Sequence, residues 1–535
     1  MSVQVPTAAD FDALSSRVAA LEAAQPKPPP ITGESPSGTT ISAGSGVIYD
    51  AQLDRWTVDA SAVLCINGYQ DGFTPPVVKA VYFNHLLYFM KTSGAWYQWT
   101  GTAWLASSDP TVVVPPQPVG PVSDPSGIMA HRVVDVLNGF GANCFPNGQD
   151  GAGSNAGPDA HVAALRAIWG SSGIVPLLRI YAAADPTAQI AWCRNVLAGF
   201  PNARFTACVS DFASADGLVQ IIQASKADGG WLKCAEGYNE PNNTASFGFG
   251  PTTPAQCLSA QQKVYAAAQA AGIPTMSPSV ADMTGDPNFI QNYYGSASTL
   301  QSIIAASDLA NIHNYPNRGS PNHELQARTE GISRTYGGLP PATSEFHPLL
   351  YNNTADETLG ALYTAFAKLS GALDWQQQIL TWFCLWDYAN TFAKPVGLFH
   401  GCDPTSMRPA ATLMSNLIKI CGDSGATAAS FVPGRLDMTV TGLPLGYNNS
   451  SGGSFGVMQR SDGVFLVAFW NEQDAASGAT SQIGVAFNAG PKSKIVLYSF
   501  GNPLVATPTT QVIAPGNGIS FTMRQPDLQV IEVHQ

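Results

Sequence analysis

Two short segments each place a glutamate where it can do chemistry. "EGYNEPN" (236–242) puts Asn239 and Glu240 at the close of an apolar run, with Pro241 directly behind them. "TSEFHP" (343–348) puts Glu345 near the close of another. Proline removes an amide donor and ends a strand, which fixes where the preceding side chain points. Two carboxylates facing each other across a cleft meet the needs of glycosidic bond cleavage. One must be protonated to serve the leaving oxygen, and the other ionised to meet the positive charge that develops on the sugar.

Such a pair needs a frame that brings residues 105 positions apart to one mouth. After residue 127, short apolar runs alternate with helical stretches, the rhythm of a parallel sheet with crossover helices. The expected strands are 142–147, 175–181, 203–212, 231–241, 273–279, 309–316, 341–348 and 379–388. Helix punctuation falls between them: Asp185-Pro186 at one start, Thr354-x-x-Glu357 at another, Gly272 at an end. Eight strand–helix units in about 300 residues predict a (β/α)8 TIM barrel, whose active site lies at the carboxyl ends of its strands. The polar residues expected there are Arg179 on strand 2, Asp211 on strand 3, Asn239 and Glu240 on strand 4, and His313 and Tyr315 on strand 6. Strand 7 adds Glu345 and His347, and strand 8 adds Trp386 and Asp387.

These segments resemble the clan A retaining glycoside hydrolases. "AEGYNEPN" is similar to that clan's strand-4 motif, and its Glu-x-x-Asn-Glu-Pro-Asn form is most similar to family 39. "IHNYP" resembles the strand-6 segment, "TSEFHP" the strand-7 segment and "WFCLWDY" strand 8. The resemblance covers residues 127–535 and implies roles. Glu240 would be the general acid/base and Glu345 the nucleophile. Asn239 would bind the sugar 2-hydroxyl, and Trp386 would floor the subsite of the cleaved sugar. Arg179 and Tyr315 would keep Glu345 charged, with His313 as a further substrate-binding residue. The charge on Glu345 would then raise the pKa of Glu240. Tyr238 stands where the clan usually has Trp, so the class of sugar does not carry over. A second Asn-Glu pair, at 471–472, lies in a β-rich stretch with no barrel around it.

The rest of the chain frames this barrel. Residues 1–25 read as a helix with heptad-spaced Phe11, Leu14, Val18 and Leu21, a short coiled coil suited to a homo-oligomer such as a trimer. Residues 26–38 are a Pro-rich linker, 39–108 a small β module with Trp96, Tyr97, Trp99 and Trp104, and 109–127 a second linker. The barrel is expected over 128–424 and a C-terminal β-sandwich over 425–535. A net charge of −12 argues against nucleic acid, and no apolar run is long enough to insert into a membrane. The nine scattered cysteines read as core residues. No ligand spacing or Gly-rich phosphate loop appears, so neither metal nor cofactor is expected. The first residues lack a Sec signal peptide, and the expectation is an extracellular or virion-associated protein acting on a carbohydrate polymer, like a phage tail-spike depolymerase. Two alternatives stand beside it: a glycan-binding adhesin without turnover, and a bacterial exo-acting β-glycosidase.

Overall fold

The computed structural model describes residues 35, 39–50, 55–66, 69–70, 77–83, 86–92, 94–99, 104–107, 127–146, 156–211, 213–243, 252–281, 288–315, 331–348, 357–374, 377, 379–387, 396–443, 453–471, 480–501, 507–513, 515–524 and 526–535. The expected helix and coiled coil at 1–25, both Pro-rich linkers except residues 35 and 127, and Thr354 lie outside them. The chain divides into two compact units, Met1–Pro115 and Pro116–Gln535.

In the first unit, Thr39–Ile41, Val77–Phe83, Leu86–Lys91, Trp96–Trp99 and Trp104–Ser107 form one sheet in that order. A second sheet is built from Ile48–Tyr49, Arg55–Val58, Leu64–Ile66 and Tyr69–Gln70. Trp56 is buried and meets Trp99 and Trp104 at 5.3 and 5.9 Å, while Phe89 packs edge-on to Trp104 at 4.5 Å. These aromatics serve the module's own core.

The second unit holds a barrel of eight parallel strands: β1 Phe140–Asn143, β2 Leu177–Ala182, β3 Arg204–Val209, β4 Leu232–Tyr238, β5 Thr275–Met276, β6 Ala310–Asn314, β7 Pro341–Phe346 and β8 Leu380–Trp382. Their order around the sheet is β5-β4-β3-β2-β1-β8-β7-β6. A parallel bridge between Met276 and Leu309 closes the ring from β5 to β6. The sequence explains the packing of the shell. The helix Pro254–Ala271 begins with a reciprocal capping box, Thr253 with Gln256, and ends at Gly272 in the left-handed region. It seats against β4 where Gly237 leaves room, since a Cβ there would lie 2.0 Å from Gln261 Oε1. That glutamine in turn donates to the carbonyls of Met276 and Ala306, at 3.2 and 2.7 Å.

The C-terminal strands supply five strands of a six-stranded sheet and all of a three-stranded one. Val467, Phe469, Ile483, Phe521 and Ile531 fill the space between them. The opposite face of the larger sheet, with Met458, Leu466, Trp470 and Val530, packs into the core that the barrel shares with its helices. His131–Arg132, just ahead of the barrel, pair in parallel with Met458–Gln459 of that sheet. Sandwich and barrel therefore fold around continuous apolar packing. All nine cysteines are free. No described helix is long and apolar enough to cross a membrane.

Candidate active site

Strand side chains alternate between faces, so residues two apart stack up the barrel interior. The lowest layer is apolar: Leu177, Cys234, Met276, Leu309, Ala342 and Ile379. Two residues further along come Arg179, Glu236, Asn311 and Ser344, all buried. Two further again come Tyr181 and His313, followed by Tyr315 at the mouth. There Tyr181, Phe145, Cys208, Phe383, Cys384, Val396 and Tyr315 form an aromatic wall. The register between β6 and β7 shifts just before His313, which sets His313 beside Glu345 rather than Ser344.

Glu345 is gripped on both oxygens. Oε1 accepts from Arg179 Nη1 at 2.8 Å and from the Tyr181 hydroxyl at 2.6 Å, and Oε2 accepts from the Tyr315 hydroxyl. His313 Nδ1 lies 3.3 Å from Oε2. Burial, reinforced by the charge on Glu345, pushes the Tyr315 phenol well above its ordinary range, so it remains a donor.

Glu240 sits two residues beyond β4 with φ of 41°, in the left-handed region that a non-glycine residue adopts at a cost. Local bonds hold it there. Its amide donates to Ser279 O at 3.1 Å, and its carbonyl accepts from Asn243 N at 2.9 Å. The carboxylate accepts from Asn243 Nδ2 at 2.7 Å and meets His313 Nδ1 at 2.7 Å. Here the structure corrects the sequence reading. Burial does push the Glu240 carboxyl upward, but the hydrogen bond and charge of His313 outweigh it and leave the pKa lowered. The imidazole shows the other side of this contact. Burial pulls it down, yet the charge of Glu345 and the contacts with Glu236 and Glu240 raise it to about 9. At neutral pH His313 is a cation lying between two carboxylates.

The remaining candidates divide. Arg179 donates to Asn239 Oδ1 at 2.7 Å, which ties the expected 2-hydroxyl ligand into the same network. Trp386 does not face the mouth. It is 1% exposed, donates from Nε1 to His161 Nε2 at 3.0 Å and packs against Phe399 at 5.3 Å. Its ring is used between barrel and helix, so it offers no face to a sugar. Phe383 joins the aromatic wall instead, edge-on to Phe145 at 6.2 Å and to Tyr315 at 6.4 Å. Asp211 accepts from the Ser214 amide at 2.7 Å and serves the turn into the next helix. His347 packs against Trp382 at 4.7 Å, and burial, with Arg408 nearby, lowers it to about 3. Sequence reasoning missed Tyr181 and Asn311 as site residues, and gave Glu236 no role. Period-two spacing held the signal: Tyr181 is two beyond Arg179, and Asn311 two before His313.

Glu240, His313 and Glu345 each offer a ligand atom within 4.8 Å of the others. His313 Nδ1 already meets both carboxylates and Arg179 donates to Glu345, so a metal ion would have to displace the imidazole and face the guanidinium.

No family model matches the sequence, and no curated protein matches it. Solved structures do. A GH30 endoxylanase from Clostridium papyrosolvens aligns over 77% of this chain and 98% of its own, with 14% identity and a TM-score of 0.48. An endo-β-1,6-glucanase aligns over 76% and 93%, with 11% identity and a TM-score of 0.48. A GH128 endo-β-1,3-glucanase from Pseudomonas viridiflava aligns over 52% and 97%, with 17% identity and a TM-score of 0.34.

Proposed function

We propose that this chain hydrolyses β-glycosidic bonds of a polysaccharide with retention of configuration, by double displacement on two glutamates. The observation that carries the reading is the pairing of Glu240 and Glu345 at the barrel mouth, with one oxygen of each carboxylate within 4.8 Å of the other. Retaining pairs stand about 5–5.5 Å apart, whereas inverting pairs stand about 6.5–9.5 Å apart to admit a water. Glu345, held by Arg179, Tyr181 and Tyr315, attacks the anomeric carbon. The His313–Glu240 pair supplies the proton to the leaving oxygen, and Glu240 then takes a proton from the water that releases the sugar. Asn239 meets the 2-hydroxyl, and Phe145, Phe383 and Tyr315 lower the local dielectric around the oxocarbenium-like transition states. A glycan-binding adhesin would have no use for a nucleophile and acid/base so arranged.

A 2-deoxy-2-fluoro β-glycoside with a good leaving group tests this directly. The expected result is covalent label on Glu345 and, with natural substrate, a β-configured first product by NMR. No label across a panel of sugars, together with an α product, would refute retention. The finer reading is a virion-borne or extracellular depolymerase that trimerises through residues 1–25, supported by the heptad spacing there and the stiff linkers behind it. Light scattering on the full chain and on one lacking residues 1–38 checks the trimer.

A further inference from the structure

Glu236 lies one layer below Glu240 and Glu345, is fully buried, and takes no part in the proposed chemistry. A carboxylate stripped of water is costly unless it is fully paired. Its Oε2 accepts from Arg179 Nε at 2.6 Å. Its Oε1 accepts from Arg179 Nη2 at 2.7 Å, Asn311 Nδ2 at 2.8 Å, Ser344 Oγ at 3.0 Å and Ser279 Oγ at 3.2 Å. His313 Nε2 is 3.9 Å away. Burial alone would raise this carboxyl, but Arg179 and His313 hold it at about 2.

The geometry of Arg179 is the telling part. Its bidentate edge, Nε with Nη2, is given to Glu236, and only Nη1 reaches Glu345. A guanidinium fork binds a carboxylate most tightly when both prongs engage. A nucleophile held by the whole fork would be stabilised in the ground state, where stabilisation slows the chemical step.

Resting on the glycosidase reading above, we infer that Glu236 is a positioning residue: it fixes the Arg179 fork and divides the charge of Arg179 and His313 between itself and the catalytic carboxylates. The groups facing it and its partners are Arg179 and Tyr181 from β2, Cys208 from β3, and Cys234 and Glu240 from its own strand and just beyond. His313 and Tyr315 face them from β6 and just beyond it, and Glu345 from β7. Burial raises both thiols and both phenols, so these stay neutral. Three carboxylates then face two cations, and the cluster carries one net negative charge.

The test is Glu236→Gln and Glu236→Asp in the full chain, each followed by two readouts. The first is the NMR titration of the His313 imidazole, whose midpoint lies near 9 in the wild type. Removing one negative charge makes the imidazole proton easier to lose, so in Glu236→Gln the midpoint drops by about one pH unit. In Glu236→Asp the charge remains and the midpoint moves by less than about 0.3 unit. The second readout is kcat/KM against pH on aryl β-glycosides. Both limbs of the Gln variant move to lower pH by about one unit. Its kcat falls by about 10–100-fold, because an amide N–H in place of either oxygen would meet a donor. A midpoint and limbs that stay in place while activity falls with melting temperature would make Glu236 merely structural and overturn the inference. Should Glu236→Gln not fold, Ser344→Ala removes one donor from Oε1. It is expected to lower kcat about threefold at unchanged KM, and an unchanged kcat overturns the inference equally. The glycosidase reading fails separately, when the wild type cleaves no glycoside and Glu345 takes no label. The imidazole midpoint still decides the role of Glu236 in that case.

Discussion

Replacing His313 by Asn removes the cation between the two carboxylates while keeping a hydrogen-bonding side chain. In the wild type the last proton of the His313–Glu240 pair leaves near pH 9, so the basic limb of kcat/KM is expected there. In His313→Asn only Glu240 is left to hold that proton. An opposite charge at 2.7 Å shifts a carboxyl by roughly 1–3 pH units. Freed of it, and still raised by burial, Glu240 should take over a basic limb that lies below the wild-type one. The bell therefore narrows from its basic side, and each pH unit above the new limb costs the variant about tenfold where the wild type still works. The assay is kcat/KM across pH on a phenyl β-glycoside, whose leaving group needs the proton. A dinitrophenyl glycoside is the control, because its first step needs none. A variant that keeps a basic limb near 9 and changes only KM would show His313 to be a plain substrate contact and refute the shared-proton account.

Three further outcomes follow. Glu345→Ala should fall to background on every substrate, whereas Glu240→Ala should keep its first step on dinitrophenyl glycosides and yield a β-glycosyl azide when azide is added; leaving-group rescue of Glu345→Ala instead would reverse the assignment. Trp386→Ala should lower stability by about 3–5 kcal/mol by opening a cavity against His161 and Phe399. Its pH limbs should stay in place, and a calorimetric scan with a kinetic pH profile separates that result from a loss of sugar stacking. Removing residues 1–115 should leave hydrolysis of a small aryl glycoside within about twofold, since the division between compact units falls there; a folded but inactive truncation would refute modularity.

Much of this arrangement was legible because barrels obey a simple period. Apolar runs bounded by turn residues located all eight strands, and the polar residues closing strands 2 and 6 include Arg179, His313 and Tyr315, three of the groups now seen on Glu345 and Glu240. Trp386 misled because facing depends on where β8 ends. That strand stops at Trp382, and the backbone beyond it no longer follows strand alternation. The sign of the Glu240 shift was not legible either. It depends on whether a third group inserts between two carboxylates, and that insertion comes from a register shift between β6 and β7 with no mark in composition. Glu236 was quoted in the motif, but its role needed Arg179 Nε and Nη2 to be seen on it.

The charge balance of the site fits the reaction better than a neutral site would. Glu236, Glu240 and Glu345 face only Arg179 and His313, so the resting cluster holds one negative charge in excess among the described residues. In water such an excess would be screened, but here the groups are buried and aromatic side chains pack beside them. In the proposed reaction the His313–Glu240 pair gives up its proton as the glycosidic bond breaks, and the excess grows to two. Positive charge appears on the sugar in the same step. The site's field is therefore poorly matched to a neutral ground-state sugar and well matched to the oxocarbenium-like transition state, which is the difference that catalysis requires. The fixed elements preserve that difference. Glu236 keeps Arg179 from closing its fork on Glu345, and the left-handed turn at Glu240 keeps the acid from swinging away from His313.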